Sequence, residues 1–364
     1  MVADRVPDRI VESLITAVPD DPDSFKRLCA AVTDWNALFE CGDRQGVAGV
    51  LYCQLVESDC SLPQAVRRYV DRELVVRRLW NSHLNAALDE ALYALDAAGV
   101  RTVALKGPVL GERLYSDPAV RLSTDLDLLV VPSDLDRAAA ALESIGYRAE
   151  KGQMTRSFRQ YHQHIHFHRP HSPMIELHFR AYAGLGVVVP GDEFVSRACL
   201  YRTTRGPVAW VLSPEDELLY LSVHVASHCF GCLLWLYDLK LLLRSCPDLD
   251  WSVVAGRARS LGVVAPLSLT FEMLRRRLGV AVPERDDLAP SRGIRSRVAA
   301  SLLRATATRP VSPIGATLAR LAFMAALCGR PAPAARFLQY QLVRIAKRRA
   351  QRYFPSLVPE EWSV

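Results

Sequence analysis

The chain has 364 residues, 50% hydrophobic and 23% charged, which excludes a disordered or low-complexity polymer and leaves enough apolar side chains for a sizeable core. Its net charge of +6 is uneven: residues 1–288 hold 32 Lys and Arg against 37 Asp and Glu, whereas residues 289–364 hold 13 against 2. That last stretch is expected either to meet an anionic partner, whether RNA, an acidic peptide or a membrane surface, or to present solvated arginines on helices packed against the more acidic front part; with no uninterrupted apolar run of about 18 residues, the sequence does not support a membrane-spanning helix.

Up to residue 99 the apolar spacing is helical. Ile10, Leu14, Ile15 and Val18 share one face, and residues 64–98 repeat apolar side chains every three or four positions between Pro63, a helix starter, and Gly99, a helix stop. The period then shortens. Residues 101–105 are a β-branched and apolar run, Lys106-Gly107-Pro108 a break, residues 109–115 a short helix, and residues 125–131 a buried strand between Ser123 and Pro132. Ser133 or Asp134 caps a helix over 135–145 that Gly146 ends. Two further strands, 160–169 and 174–180, are joined by Pro170-His171-Ser172-Pro173.

From Pro214 onward helical patterns return, over 215–229, 233–244, 251–261, 266–278, 294–306, 314–327 and 334–353. The predicted class is α+β: a small mixed sheet with helices over residues 100–212, flanked by helical modules over 1–99 and 213–364. Arg344, Lys347, Arg348, Arg349 and Arg352 give the last predicted helix a cationic face. The nine cysteines follow no disulfide framework and no secretory leader precedes them, so reduced thiols in a cytoplasm are expected, with a peripheral membrane contact left open. Cys229 and Cys232 lack a second pair at finger-like spacing and are read as structural.

Asp125 and Asp127 stand two apart on a predicted strand, so both carboxylates project from one face while Leu126 and Leu128 enter the core. Two like charges that close need neutralising, and magnesium, which prefers oxygen ligands, suits the pair. Glu176 and His178 alternate with Ile175, Leu177 and Phe179 and so face away from the core. Three carboxylates converge if the two strands are neighbours. His162, His164, His166 and His168 also alternate, but same-strand neighbours are about 6.6–7 Å apart, which argues against one tetrahedral zinc site built from them. One or two of them, with His178, are expected to line an acceptor pocket. His224, His228 and Asp238 are read as supporting the core from adjacent helices, and Trp235 as core.

Leu105-Lys106-Gly107, then Leu114-Tyr115-Ser116-Asp117-Pro118, then Arg121 ahead of Asp125-Leu126-Asp127-Leu128-Leu129-Val130, then Gly146-Tyr147 and Ile175-Glu176-Leu177-His178 form a combined pattern. Over roughly residues 95–245 it resembles the uncharacterised bacterial nucleotidyltransferase family of the DNA polymerase β-like superfamily. The resemblance implies a polymerase β-like core, a nucleoside triphosphate such as ATP as donor, and two Mg2+ ions held by Asp125, Asp127 and Glu176. One ion would position the triphosphate; the other would lower the pKa of an acceptor hydroxyl for attack on the α-phosphorus, with Glu176 or Asp127 as general base.

Lys106-Gly107 replaces the superfamily's usual Gly-Ser turn, at a longer spacing from Asp125. Lys106 is expected at the β- and γ-phosphates, Gly107 to let backbone N–H groups approach them, and His178 beside the ligands. Arg121 is expected to clamp a phosphate oxygen, or to pair with Asp117 or Asp125 without ligand. The expected reaction moves an NMP to a hydroxyl of a peptide, sugar or small molecule. Two rivals stand beside it: a toxin-like transferase adding nucleotides to tRNA, and a non-catalytic scaffold that keeps the fold.

Overall fold

The computed structural model describes residues 6–288, apart from 19, 185, 186 and 284, together with 322–327. Five helices open the chain: α1 (Val6–Ala17), α2 (Pro22–Ala30), α3 (Trp35–Arg44), α4 (Ala48–Glu57) and α5 (Gln64–Ala97). The Asp21 and Asp34 side chains accept from the backbone N–H groups of Ser24 and Ala37, which satisfies donors that the first turns of α2 and α3 leave over. α5 has 34 residues and ends ahead of Gly99, whose φ of +66° few other residues adopt at low cost.

Next come β1 (Val103–Ala104), α6 (Pro108–Leu114), a single turn at Pro118–Val120, β2 (Asp125–Leu129), α7 (Leu135–Ser144), β3 (Arg148–Ala149), α8 (Arg156–Tyr161), β4 (His164–His168) and β5 (Met174–His178). A hairpin of β6 (Arg180–Gly184) and β7 (Val187–Pro190), then α9 (Asp192–Val195), β8 (Cys199–Arg202) and β9 (Val208–Val211), lead to α10 (Pro214–Ser227), α11 (Leu233–Ser245), α12 (Trp251–Ser260) and α13 (Val264–Leu278). The main sheet has the order β3-β4-β5-β2-β1-β9-β8. It is mixed: β2 and β5 are parallel, as are β1 and β9, and its other pairs are antiparallel. The fold is α+β, with helices on both faces of this sheet.

Alternation along the strands divides the interior in two. Leu126, Leu128, Ile165, Phe167, Ile175 and Leu177 join Leu84, Leu88, Ala91, Leu92 and Leu95 of α5 and Ala138 and Leu142 of α7 in one cluster. Each such fully buried leucine stabilises the fold by about 1.5–3 kcal/mol relative to exposure. The second cluster takes Val103, Leu105 and Leu129 together with the first four helices and α10, α11, α12 and α13. Val70 and Leu74, near the start of α5, belong to this second cluster.

Two sequence expectations change. The strand expected over 160–169 starts only at His164, because the Thr155 side chain accepts from the Phe158 N–H and nucleates α8. His162 is therefore the cap of α8 rather than a strand residue, stacked on Phe158 with ring centroids 3.8 Å apart. Residues 180–211 also supply four strands and a short helix to which the sequence assigned no element. The predicted helices over 294–306 and 334–353, most of that over 314–327, and the cationic face at Arg344, Lys347, Arg348, Arg349 and Arg352 lie outside the described residues. Among the described residues no helix is long and apolar enough to cross a membrane.

Candidate active site

The site is built on the sheet face opposite Leu126 and Leu128. In the parallel register of β2 and β5, Asp127 pairs with Glu176, Asp125 with Met174 and Leu129 with His178. Asp125, Asp127, Glu176 and His178 thus share one face by the period of two. On β2 that face turns apolar at Leu129, where the packing of the rear helices begins. His178 Nε2 sits between the two acids, 3.2 Å from Asp127 Oδ1 and 3.3 Å from Glu176 Oε2. Lys106 Nζ, from the turn after β1, lies 3.0 Å from the buried Asp127 Oδ2.

These charges set each other. Burial and the Asp127 carboxylate push the Asp125 pKa above its ordinary value. Burial also opposes ionisation of Asp127, but the Lys106 ammonium and His178 outweigh it and hold Asp127 below the carboxylate range. Against burial, hydrogen bonds from His166 and His178 hold Glu176 far below that range. Burial disfavours the charged forms of Lys106 and His178, but Asp127 and its acidic neighbours raise both pKa values. Lys106 and His178 are thus the groups that offset the charge of Asp127 and Glu176.

β4 brings three more histidines to the same face, with His166 opposite Glu176 and His164 opposite His178. His164 Nδ1 is 3.4 Å from Glu176 Oε2, and His166 Nε2 is 3.6 Å from Glu176 Oε1. Burial and the nearby His178 press the His164 pKa down to about 3, whereas Glu176 raises that of His166. His168 lies farther along, 3.7 Å from Glu150.

Arg121 is not paired as the sequence suggested. Its Nε and Nη2 donate to Asp238 of α11 at 2.8 and 2.9 Å, and Nη1 donates to Ser123 Oγ at 2.8 Å and to Gly107 O at 3.4 Å. The reason is burial: at 5% exposure the guanidinium needs a full carboxylate, while Asp117 caps Ala119 and pairs with the exposed Arg78. Tyr115 donates to the same Asp238 at 2.6 Å, and Arg113 forms a two-pronged pair with Glu217 of α10. On α10, burial and the carboxylates Asp127, Glu176 and Asp125 raise the Tyr220 pKa, and burial and Lys106 lower that of His224. His224, His228 and Trp235 rings cluster 4.8 to 4.9 Å apart.

Asp127, Glu176 and His178 each offer one ligand atom within 4.8 Å of the others, a set able to hold a metal ion. A family model described as "Uncharacterised nucleotidyltransferase" matches residues 31–279. The chain belongs to that nucleotidyltransferase family. The match extends well beyond residues 95–245 and takes in α3, α4, α5, α12 and α13. Among solved structures, the antibiotic-resistance factor ANT(2'')-Ia in its solution structure is similar, at 13% identity and a TM-score of 0.34, over 48% of this chain and 90% of that one. No curated protein matches the chain.

For this nucleotidyltransferase the sequence pointed to Asp125, Asp127, Glu176, Lys106, Gly107, Arg121 and His178, and the structure brings all seven around the C-terminal end of β1 and the face of β2 and β5. It did not point to Glu150, Gln153, Ser123 or Glu217. Glu150 follows a strand of only two residues, and Glu217 reaches Arg113 across 104 positions, so neither left a local signal.

Proposed function

We propose that this nucleotidyltransferase moves an NMP from a nucleoside triphosphate to the hydroxyl of a peptide, sugar or small molecule, with Asp125, Asp127 and Glu176 holding Mg2+. One observation carries the reading: Asp127 and Glu176 are register partners on adjacent parallel strands, and together with His178 each offers a ligand atom within 4.8 Å of the others. Three carboxylates supply the hard oxygen donors that Mg2+ prefers, so these residues fit the ion. When bound, Mg2+ would neutralise phosphate charge and lower the pKa of the acceptor hydroxyl.

The side chains do the rest. Lys106, paired with Asp127 at 3.0 Å, would be free to offer its ammonium to the β- and γ-phosphates if a bound cation took its place on that carboxylate. Gly107, at φ +71°, keeps the turn open for close approach of a phosphate. Arg121, held by Asp238, steadies that turn through Gly107 O, a positioning role in place of a direct clamp. The acceptor oxygen bonds to the α-phosphorus as the bond to the leaving pyrophosphate breaks, and the hydroxyl proton passes to Glu176. That side chain keeps 16% exposure against 1% for Asp127, which leaves it within reach of an acceptor.

Isothermal titration of each NTP with and without Mg2+ tests the reading. Mg2+-dependent binding is expected for the natural protein and lost in Asp125→Ala; equal binding by both proteins would overturn it. Radiolabelled NTP offered with total RNA, a protein extract or a metabolite mixture reads the acceptor, and label appearing in RNA would favour the tRNA reading instead.

A further inference from the structure

We propose that His164, His166 and Glu176 form a binding site for a borderline transition-metal dication of the zinc class, beside the carboxylate pair of β2. Same-strand spacing is about 6.6–7 Å and would keep two histidines of one strand apart. Here the side chains lean together, with the His164 and His166 ring centroids 4.8 Å apart, and the third ligand comes from the neighbouring strand. One ligand atom from each of the three lies within 4.8 Å of the others. Donor atoms on a tetrahedral zinc with bonds of about 2.0–2.1 Å stand about 3.3–3.4 Å apart. The 3.4 and 3.6 Å separations of His164 Nδ1 and His166 Nε2 from the Glu176 oxygens are close to such an edge.

A second observation points the same way. Glu150 Oε2 lies 3.0 Å from His166 Nδ1 and accepts from Gln153 Nε2 at 2.6 Å, while Gln153 Oε1 accepts from the His166 backbone N–H at 2.8 Å. Gln153 Nε2 also lies 2.9 Å from His166 Nδ1; in the tautomer protonated at Nδ1, Glu150 accepts the hydrogen bond and the Nε2 lone pair faces Glu176, the arrangement that backs metal-ligating histidines. His164 Nδ1 is buried and has no hydrogen-bond partner. Two imidazoles and one carboxylate select zinc-like ions over magnesium, and three protein ligands leave one position for an exchangeable ligand. The site lies on β4 and β5 and shares Glu176 with the proposed Mg2+ ligands, so its test reads bound zinc and not the transfer reaction.

The test uses the full chain equilibrated with zinc in excess Mg2+, with bound zinc counted by mass spectrometry, and cobalt(II) as a spectroscopic substitute. One ion per chain is expected, retained in Asp125→Asn and lost in the His164→Ala/His166→Ala double variant. Glu150→Gln keeps every ligand and should weaken binding by about 10- to 100-fold; it decides the matter if the double variant fails to fold. Cobalt bands should lack thiolate charge transfer. Absence of bound zinc, its persistence in a folded double variant, unchanged affinity in Glu150→Gln, or thiolate bands from sites such as Cys229 and Cys232 would each overturn the proposal.

Discussion

Asp125 is where the site works against stability. Burial and the Asp127 carboxylate disfavour its charge, so Asp125→Asn removes repulsion that only a bound cation would use. In metal-free buffer this variant should melt roughly 2–4 °C higher by calorimetry and should not bind NTP in a Mg2+-dependent way. A lower melting temperature would show the charge to be stabilising. His178 carries the opposite sign. Its pKa is raised in the fold, so its contribution to stability is complete below the ordinary histidine value of about 6.5 and fades as pH climbs through the raised value. A divalent cation competes with that imidazolium for Asp127 and Glu176, so metal affinity should increase across the same window. Titrations in buffers of differing ionisation enthalpy should register proton release, and an affinity flat from about pH 6 to 9 would refute it.

Between elements, the turn at Pro118–Val120 is the piece that aims β2. Gly49 of α4 packs against it, and a Cβ there would stand 2.3 Å from Val120 O, a backbone atom that cannot swing aside. Gly49→Ala should therefore cost about 1–3 kcal/mol in urea denaturation. Asp238→Ala should cost more, about 3–5 kcal/mol, because Arg121 would remain buried without a counter-charge. The carboxylate strands were legible in sequence because a period of two with apolar partners is a local signal, and α5 was legible through its sustained helical spacing. The strand assigned to residues 160–169 came out shorter because an alternation of histidines hid the Thr155 cap. β7, β8 and β9 went unread because each has only four residues, too few for alternation to stand out from chance. The partner of Arg121 lay 117 positions away, and charge pairing at that range has no sequence signature.

Across the whole molecule, the central sheet and the rear helices are tied by ion pairs whose carboxylates are buried. Arg113 meets Glu217, Arg121 meets Asp238, and Arg197 meets Asp216, so α10 and α11 supply counter-ions to three arginines from residues 100–212. Residues 100–212 expressed alone should fail to fold, as read by circular dichroism and amide dispersion; a well-dispersed spectrum would contradict this. α5 draws a further consequence. Its early turns are walled into one oily core and its later turns into the other, while Trp80 between them donates to Ser123 O at 2.8 Å. Neither interior can melt without pulling a rib out of its neighbour. Heat should find no seam to open first, and a calorimeter should trace a single peak rather than a staircase.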